Sequence, residues 1–234
     1  SNLRLFTKDI NSIIASVEAR NKIKYTPLQK EAIKNTFRHG VSVITGGPGT
    51  GKTTITKAII EIAKKHKLKV ELAAPTGKAA KRIEEVTGHP AKTIHRLLEY
   101  RPNGRDNAPD SMNFARNELS PIDADLVIID EASMIDTILM YHLILAVKCS
   151  IVFIGDQNQL PSIGPGNIFA DIASTLPTTK LDAIFRQKDT SSIITNSSRI
   201  NKGLYPMFNE KDFVFRDYES PEQILEIYKK EKNA

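Results

Sequence analysis

The residues with the clearest chemical meaning lie in a glycine-rich segment near position 50. Gly46, Gly51, Lys52 and Thr53 fit the P-loop pattern G-x-x-x-x-G-K-[ST]. In such a loop, backbone N–H groups surround phosphate oxygens, the lysine reaches the β- and γ-phosphates, and the hydroxyl completes the shell of a Mg²⁺ ion. The segment predicts a site for a nucleoside triphosphate with Mg²⁺ rather than a plain glycine-rich turn. The predicted nucleotide contacts are Gly47, Pro48, Gly49, Thr50, Gly51, Lys52, Thr53 and Thr54.

A pair of acids forms the second candidate for chemistry. Asp130 and Glu131 directly follow the apolar run Leu126–Ile129. An acid at the end of a strand can hold Mg²⁺ through water, and a second acid can orient or deprotonate an attacking water. We therefore assign Asp130, together with Thr53, to the metal, and Glu131 to the water. Acidic residues after a strand are common, so this pair indicates a nucleotide site only because a P-loop precedes it in the chain.

The elements that must position these residues alternate between short apolar runs and helical segments. None of the apolar runs shows the alternation of polar residues that a half-exposed strand would have, which is typical of a parallel sheet covered on both faces. The ligand motifs all follow such runs, at the end where open α/β sheets bind ligands. The predicted fold class is α/β. The predicted strands are Val41–Thr45, Val70–Ala74, Leu126–Ile129 and Ile151–Ile154.

Helices and loops are predicted from apolar spacing and from capping residues. Ile10, Ile13, Ile14 and Val17 fall on one face of an opening helix, and Thr26–Gln29 forms a capping box for the next. The polar stretch between Arg101 and Ser120 predicts a long surface loop. Further helical segments are predicted at Thr93–Leu98, Ile168–Ala173, Ser191–Ile200 and from Pro221, with a strand at Phe213–Phe215.

Composition narrows the class of protein. The 234 residues carry a net charge of +6, which mildly favours polyanionic partners. No apolar run approaches the roughly 20 residues of a membrane span, so no membrane partner is expected. The single cysteine, Cys149, excludes an internal disulfide framework. We therefore expect a cytoplasmic location.

Five segments together resemble the motor core of RecD-like DNA helicases, which belong to the 5′→3′ branch of helicase superfamily 1 and include the exodeoxyribonuclease V alpha subunit. The resemblance covers about 26–201 and implies a RecA-like P-loop NTPase fold that uses ATP and Mg²⁺ and acts on single-stranded DNA. The segments are AAPTGKAAKRI at 73–83, TIHRLL at 93–98, LVIIDEASM at 126–134, GDQNQLPSIGPG at 155–166 and LDAIFRQ at 181–187.

The resemblance also implies further residues of the nucleotide site. Gln29 resembles the glutamine that reads adenine, although the capping box gives it a structural role as well. Gln159 resembles the residue that couples the γ-phosphate to the DNA groove, and Arg186 the arginine that faces the γ-phosphate. The implied catalytic set is Lys52, Asp130, Glu131, Gln159 and Arg186.

Two of the motifs resemble those that hold single-stranded DNA. From the residues alone, Thr76 and Thr93 would be helix N-caps and His95 a surface or core histidine. Lysines 64, 65, 67 and 69 have no support from the resemblance, and a solvated helix end accounts for them. The implied DNA contacts are Pro75, Thr76, Gly77, Lys78, Thr93 and His95.

The predicted organisation is an N-terminal helix and linker at 1–25, a motor domain at 26–203 and a C-terminal extension at 204–234. Superfamily 1 motors have two RecA-like domains, and only motifs of the first occur here. This pattern is expected either of a first motor domain whose parent chain carries the second, or of a naturally short homologue. Other helicase–nuclease subunits are expected partners, with a role in DNA repair or recombination. Two alternatives stay open: an ATPase that acts on RNA or on a protein complex, and a non-catalytic binding module.

Overall fold

The computed structural model describes residues 9–101, 113–181, 192–209, 212–215, 217 and 220–232. In this part of the chain the strands are β1 Val41–Gly46, β2 Val70–Ala74, β3 Ala91–Thr93, β4 Leu126–Ile129, β5 Ser150–Gly155 and β6 Thr178–Leu181. The helices are α1 Ile10–Asn21, α2 Pro27–Arg38, α3 Lys52–Lys65, α4 Gly77–Thr87, α5 Ile94–Leu97, α6 Thr137–Ala146, α7 Ile168–Thr175, α8 Ser192–Asn201 and α9 Pro221–Lys232. A 3₁₀ turn covers Ala132–Met134.

The six strands form one parallel sheet in the order β3-β2-β4-β5-β1-β6. In the centre, Val41 of β1 pairs with Ile151 of β5; at the edge, Ala74 of β2 pairs with Thr93 of β3. Every residue of β4 and β5 is buried, which explains why their sequences show no polar alternation. The predicted α/β class with a parallel sheet is confirmed.

Successive residues of the strands point to opposite faces, and each face has its own core. Ile128 and Val152 pack with α1, α2 and α3 on one face. Ile129 and Phe153 pack with α5, α6 and α7 on the other. Helices therefore cover both faces of the sheet, and its carboxyl-end loops carry the predicted motifs.

Threonine caps fix where the helices next to the site begin. The Thr26 hydroxyl accepts a hydrogen bond from the backbone N–H of Gln29 at 3.2 Å. In return, the side-chain oxygen of Gln29 accepts one from the backbone N–H of Thr26 at 3.1 Å. This is the predicted capping box. Thr76 accepts the N–H of Ala79 at 3.2 Å and so starts α4. The caps set the direction in which each helix leaves the edge of the sheet.

Two predictions of secondary structure differ from what is observed, and one helix was not predicted. The predicted strand Phe213–Phe215 is wrong, because the Asn209 side chain accepts the N–H groups of Asp212 and Phe213 and closes a local turn. The predicted helical piece Thr93–Leu98 is shorter, since Thr93 belongs to β3. Helix α6 was not predicted, because TILMYHLILA is apolar on all sides and has no helical period.

The chain divides into two compact units, residues 1–185 and 186–234. The first holds the sheet, and α1 belongs to its core through Ile10, Ile14 and Val17. In the second, the buried Asn196 amide of α8 donates to the Met207 carbonyl at 2.6 Å and accepts its N–H at 2.7 Å. The limits predicted from sequence for the motor domain, 26–203, remain a prediction.

Two further expectations concern loops and membranes. Tyr100 and Phe114 form an antiparallel bridge at the base of the predicted loop, and residues 102–112 between them lie outside the described residues. Among the helices of the described residues, none is long and apolar enough to span a membrane.

Candidate functional site

The P-loop connects β1 to α3 through backbone that only glycine adopts easily. Gly49 and Gly51 have φ of 79° and 91°, in the left-handed region where a Cβ atom clashes with the backbone. At Gly46 a Cβ atom would lie 2.6 Å from the Thr50 hydroxyl oxygen. Gly51 is also the residue from which α3 begins, so the positive end of the α3 dipole lies directly at the loop. The predicted P-loop therefore has the backbone that a phosphate cradle requires.

The Lys52 side chain contacts the backbone of the P-loop that precedes it. Its ammonium group donates to the carbonyl oxygen of Gly46 and, at 3.1 Å, to that of Gly47. Burial lowers the pKa of Lys52, and the nearby carboxylates of Asp156 and Glu131, with that of Asp130, oppose the shift. A partly buried ammonium held only by neutral carbonyls can exchange them for the charged oxygens of a phosphate.

Asp130 and Glu131 stand at the end of β4, close to Lys52. Burial, assisted by the charge of Glu131, raises the pKa of Asp130 to about 6, and the opposing contributions include Lys52 and Arg82. Glu131 has φ of 52°, a conformation that costs a residue with a Cβ atom about 1–2 kcal/mol. A carboxyl with a raised pKa, next to a second acid and a partly buried lysine, is typical of a catalytic centre rather than of a solvated turn.

The donor atoms at this edge suit Mg²⁺ carried by a nucleotide. Mg²⁺ is usually held by one or two carboxylates, with waters and phosphate oxygens completing its octahedron. Asp130 is half-buried, as is Thr53 in the first turn of α3. The described residues contain no group of three or more His, Cys, Asp or Glu side chains that could hold a metal ion. The carboxylate of Asp130 and the hydroxyl of Thr53 are donors that fit a nucleotide-bound Mg²⁺.

The loop after β5 brings Gln159 to the acidic segment. The Ser133 hydroxyl, two residues after Glu131, donates to the Gln159 side-chain oxygen at 3.0 Å. Ser133 is buried and Gln159 is exposed. The sequence reasoning placed Gln159 near the nucleotide but did not identify Ser133, whose contact spans 26 positions of the chain.

Gln29, in the first turn of α2, is buried against the P-loop. Its amide nitrogen donates to the Thr50 carbonyl at 3.3 Å, while its carbonyl oxygen serves the capping box. Both ends of the amide thus have protein partners, and the side chain links the start of α2 to the loop. Its reading of adenine stays a prediction.

Asp156 is a candidate site residue that the sequence analysis left out. It follows β5 as Asp130 follows β4, and only 4% of it is exposed. One of its carboxylate oxygens lies 3.9 Å from where a Cβ atom on Gly47 would be. The sequence signal that could have identified Asp156 is its place after a second apolar strand. Arg186, the predicted γ-phosphate arginine, lies outside the described residues.

The predicted DNA contacts lie together at the other half of the same edge. Pro75, Thr76, Gly77 and Lys78 follow β2, and Thr93 and His95 lie at the end of β3, its neighbour. The hydroxyl of Thr93 accepts the N–H of Arg96 at 3.2 Å, as that of Thr76 does for Ala79. A hydroxyl that accepts in this way keeps its hydrogen as a donor for an acceptor such as a phosphate oxygen.

The structure accounts for three of the four lysines at 64, 65, 67 and 69. Lys64 and Lys65 are in the last turn of α3, where positive charge complements the helix dipole. The ammonium of Lys69 pairs with Asp123, and its backbone N–H donates to Asp125 at 2.8 Å. These contacts agree with a solvated helix end.

Curated proteins similar to this chain include named helicases. The ATP-dependent RecD2 DNA helicase of Deinococcus radiodurans is 42% identical over 175 residues, which is 74% of this chain and 23% of the relative. The RecBCD enzyme subunit RecD of Buchnera aphidicola subsp. Schizaphis graminum is 37% identical over 201 residues, 75% of this chain and 32% of the relative. The chain thus spans about a quarter to a third of the length of these relatives.

Solved structures agree with the fold. The Pif1 helicase of Candida albicans matches with a TM-score of 0.56 and 25% identity, over 79% of this chain and 45% of that one. Bacteroides Pif1, solved bound to ssDNA, matches with a TM-score of 0.55 and 22% identity, over 78% of this chain and 47% of that one. The family model for an AAA domain, AAA_19, matches residues 29–165, more than half of the chain. The resemblance to RecD-like helicases is confirmed, and the chain belongs to the AAA_19 family of AAA domains.

Proposed function

We propose that this chain is the ATP-binding and hydrolysing motor domain of a DNA helicase that translocates on single-stranded DNA. The observation that carries the proposal is the position of Lys52, which lies near the carboxylates of Asp130, Glu131 and Asp156. These residues come from the carboxyl ends of β1, β4 and β5, three adjacent strands in the centre of the sheet. The named relatives are DNA helicases or RecBCD subunits, which supports the same function.

Binding of the triphosphate rests on the loop and on Lys52. Backbone N–H groups of Gly47 and of 49–54 would bind phosphate oxygens, and Pro48, which has no N–H, would shape the loop. The Lys52 ammonium would exchange the carbonyls of Gly46 and Gly47 for the β- and γ-phosphates. When bound, Mg²⁺ supplies positive charge that offsets the charge developing on the phosphates. Thr53 and Asp130 would hold it. Gln29 would place the loop and read adenine.

Hydrolysis requires a base and a way to sense the γ-phosphate. Glu131 would accept the proton of the attacking water, because its carboxylate stands next to Asp130 at the end of β4. Gln159 would contact the γ-phosphate and transmit its presence to the acidic segment through Ser133. Arg186 and a second motor domain would supply the remaining charge, so turnover by this chain alone should be low.

The proposed target is single-stranded DNA, bound at the ends of β2 and β3. Thr76 and Thr93 would donate to phosphate oxygens with His95 beside them, and phosphate contacts carry no sequence information. Residues 26–203 would form one of the two motor domains of the helicase. The parent protein would work in the cytoplasm, in DNA repair or recombination, with other helicase–nuclease subunits as partners.

A comparison of nucleotide binding with hydrolysis tests this function. Glu131→Gln removes the base but keeps the shape of the side chain, so it should bind Mg²⁺–ATP as the wild type does and lose its turnover. Phosphate release and binding of a fluorescent ATP analogue are measured on both proteins. If the wild type binds the analogue but releases no more phosphate than Glu131→Gln, the chain is a binding module and not an ATPase. RNA that binds more tightly than DNA of the same sequence would contradict the proposed target.

A further inference from the structure

A row of aromatic rings covers the surface next to the proposed DNA contacts. The row runs from Tyr100 to Phe114, His142 and Tyr141, with successive ring centroids 5.6, 4.9 and 5.4 Å apart. His95 joins it 5.9 Å from both Tyr100 and Phe114. Five rings from three separate parts of the chain thus form one continuous cluster, which we call the ring surface.

Burial separates the inner rings of this surface from the outer ones. Phe114 is half-buried and packs against the core beneath α5 and α6, and burial lowers the pKa of His142. The two tyrosines at the ends of the row remain open, with 45% of Tyr100 and 61% of Tyr141 exposed. Packing of the hydrophobic core accounts for the inner rings but not for the two exposed tyrosines.

The charges around the ring surface favour a polyanion. Arg96 and Arg101 are exposed on either side of Tyr100 along the chain. The nearest acid in sequence, Glu99, is held by the Arg116 guanidinium at 2.7 Å, so its negative charge is offset. Aromatic faces with adjacent arginines are the combination by which proteins bind single-stranded nucleic acid irrespective of sequence.

We propose that Tyr100 and Tyr141, supported by Phe114 and His142, form a stacking surface for the bases of single-stranded DNA. This inference rests on the proposed function and adds to it, because the threonines would hold the phosphates while the tyrosines hold the bases. Every base has a flat π face, so such a surface adds affinity without selecting a sequence.

Abasic DNA separates stacking from phosphate contacts. Anisotropy is measured with labelled oligo-dT of about 12 nucleotides, a length within the range bound by single domains, and with an abasic strand of the same length. Tyr100→Ala and Tyr141→Ala should each weaken oligo-dT binding by roughly 5- to 150-fold and leave abasic binding unchanged. Tyr100→Phe and Tyr141→Phe keep the rings and should bind both strands as the wild type does.

Tyr228→Ala is the matched control, since Tyr228 of α9 is 62% exposed and has no ring partner among the described ring contacts. It should change neither affinity, and all variants should keep their affinity for nucleotide. An equal loss of affinity for both strands, or no loss of affinity in either alanine variant, would overturn the stacking surface. The exposed face of α6 would then be a candidate contact for a protein partner. A wild type that binds neither strand would contradict the proposed function as well.

Discussion

The two halves of the carboxyl edge of the sheet differ in burial and in charge. At the ends of β1, β4 and β5, Lys52 lies near three carboxylates, and burial shifts the pKa values of Lys52 and Asp130. At the ends of β2 and β3, Thr76 is exposed and Thr93 half-buried, and their hydroxyls already cap helices. One half concentrates partly buried, opposed charges, and the other presents hydroxyl donors and rings with exposed cationic side chains.

This difference matches the two ligands that we propose. A triphosphate with Mg²⁺ is compact and highly charged, so a site for it gains from buried, opposed charges that hold the groups in place. A single strand is long and mobile and must slide, so many weak contacts without sequence preference suit it better. The sheet can serve both because parallel strands end at the same edge.

The largest expected effect is at the central half. Lys52→Ala removes the ammonium that would bind the β- and γ-phosphates, and it should weaken binding of a fluorescent ATP analogue by about 100-fold or more. Lys57→Ala, an exposed lysine on the same helix, is the matched control and should bind as the wild type does. Unchanged affinity in Lys52→Ala would remove the P-loop assignment.

The next effect should appear at the outer half. Thr76→Val with Thr93→Val removes both hydroxyl donors and should weaken binding of single-stranded DNA roughly ten-fold for every sequence alike. Log affinity against log salt should be shallow, with a slope of roughly −0.7 per phosphate contact. Anisotropy titrations across a salt series measure both quantities.

Serine variants provide the control for this pair. Serine keeps both the hydroxyl donor and the helix cap, so Thr76→Ser with Thr93→Ser should bind DNA almost as the wild type does. Neutralising Lys64, Lys65, Lys67 and Lys69 should have little effect. Loss of binding only in the lysine variant would place the DNA on α3 and contradict the proposed edge.

Gln29 allows a finer test of the central half, because one substitution separates its two roles. Glutamate also completes a capping box, so Gln29→Glu should keep the stability of α2 while it loses the donor to Thr50. We expect nucleotide affinity to fall about ten-fold and the preference for ATP over GTP to shrink. Thermal unfolding and titrations with both nucleotides measure this; an unchanged melting temperature together with unchanged nucleotide affinity would leave only the cap.

The smallest effect concerns the ion pair that joins α1 to α2. The buried Glu18 carboxylate accepts from the Lys30 ammonium at 2.9 Å and from the Tyr25 N–H at 2.8 Å, and its hydrogen bond with Lys30 lowers its pKa from 4.5. A lowered pKa stabilises the folded state above pH 4.5, and this contribution is lost as pH falls through the lowered value. Glu18→Gln should therefore destabilise by about 1 kcal/mol at neutral pH and much less in acid. Urea unfolding at several pH values measures it, and a pH-independent difference would exclude the linkage.

The sequence predicted the parts of the site that chemistry ties to fixed spacing. Lys52, Asp130 and Glu131 were found because phosphate and metal binding demand these residue types after a strand. Strand β4 was found because a fully buried strand is a continuous apolar run. The site residues and the strand could both be predicted because each depends only on residues that are neighbours in the chain.

The rest depends on contacts between distant parts of the chain. Strand β3, the tripeptide Ala91–Thr93, is recognisable only by its pairing with β2. Likewise Ser133 meets Gln159, and the ring surface joins Tyr100 to Tyr141, through packing that no local pattern records. Such contacts appear once the sheet places its loops side by side.

The most direct test of the two halves is a crossed titration. Lys52→Ala and the Thr76→Val, Thr93→Val pair are each titrated with a fluorescent ATP analogue and with labelled single-stranded DNA. We predict that Lys52→Ala loses nucleotide and keeps its intrinsic affinity for DNA, while the threonine pair loses DNA and keeps nucleotide. Equal loss of both ligands in both variants would contradict separate binding at the two halves of the edge.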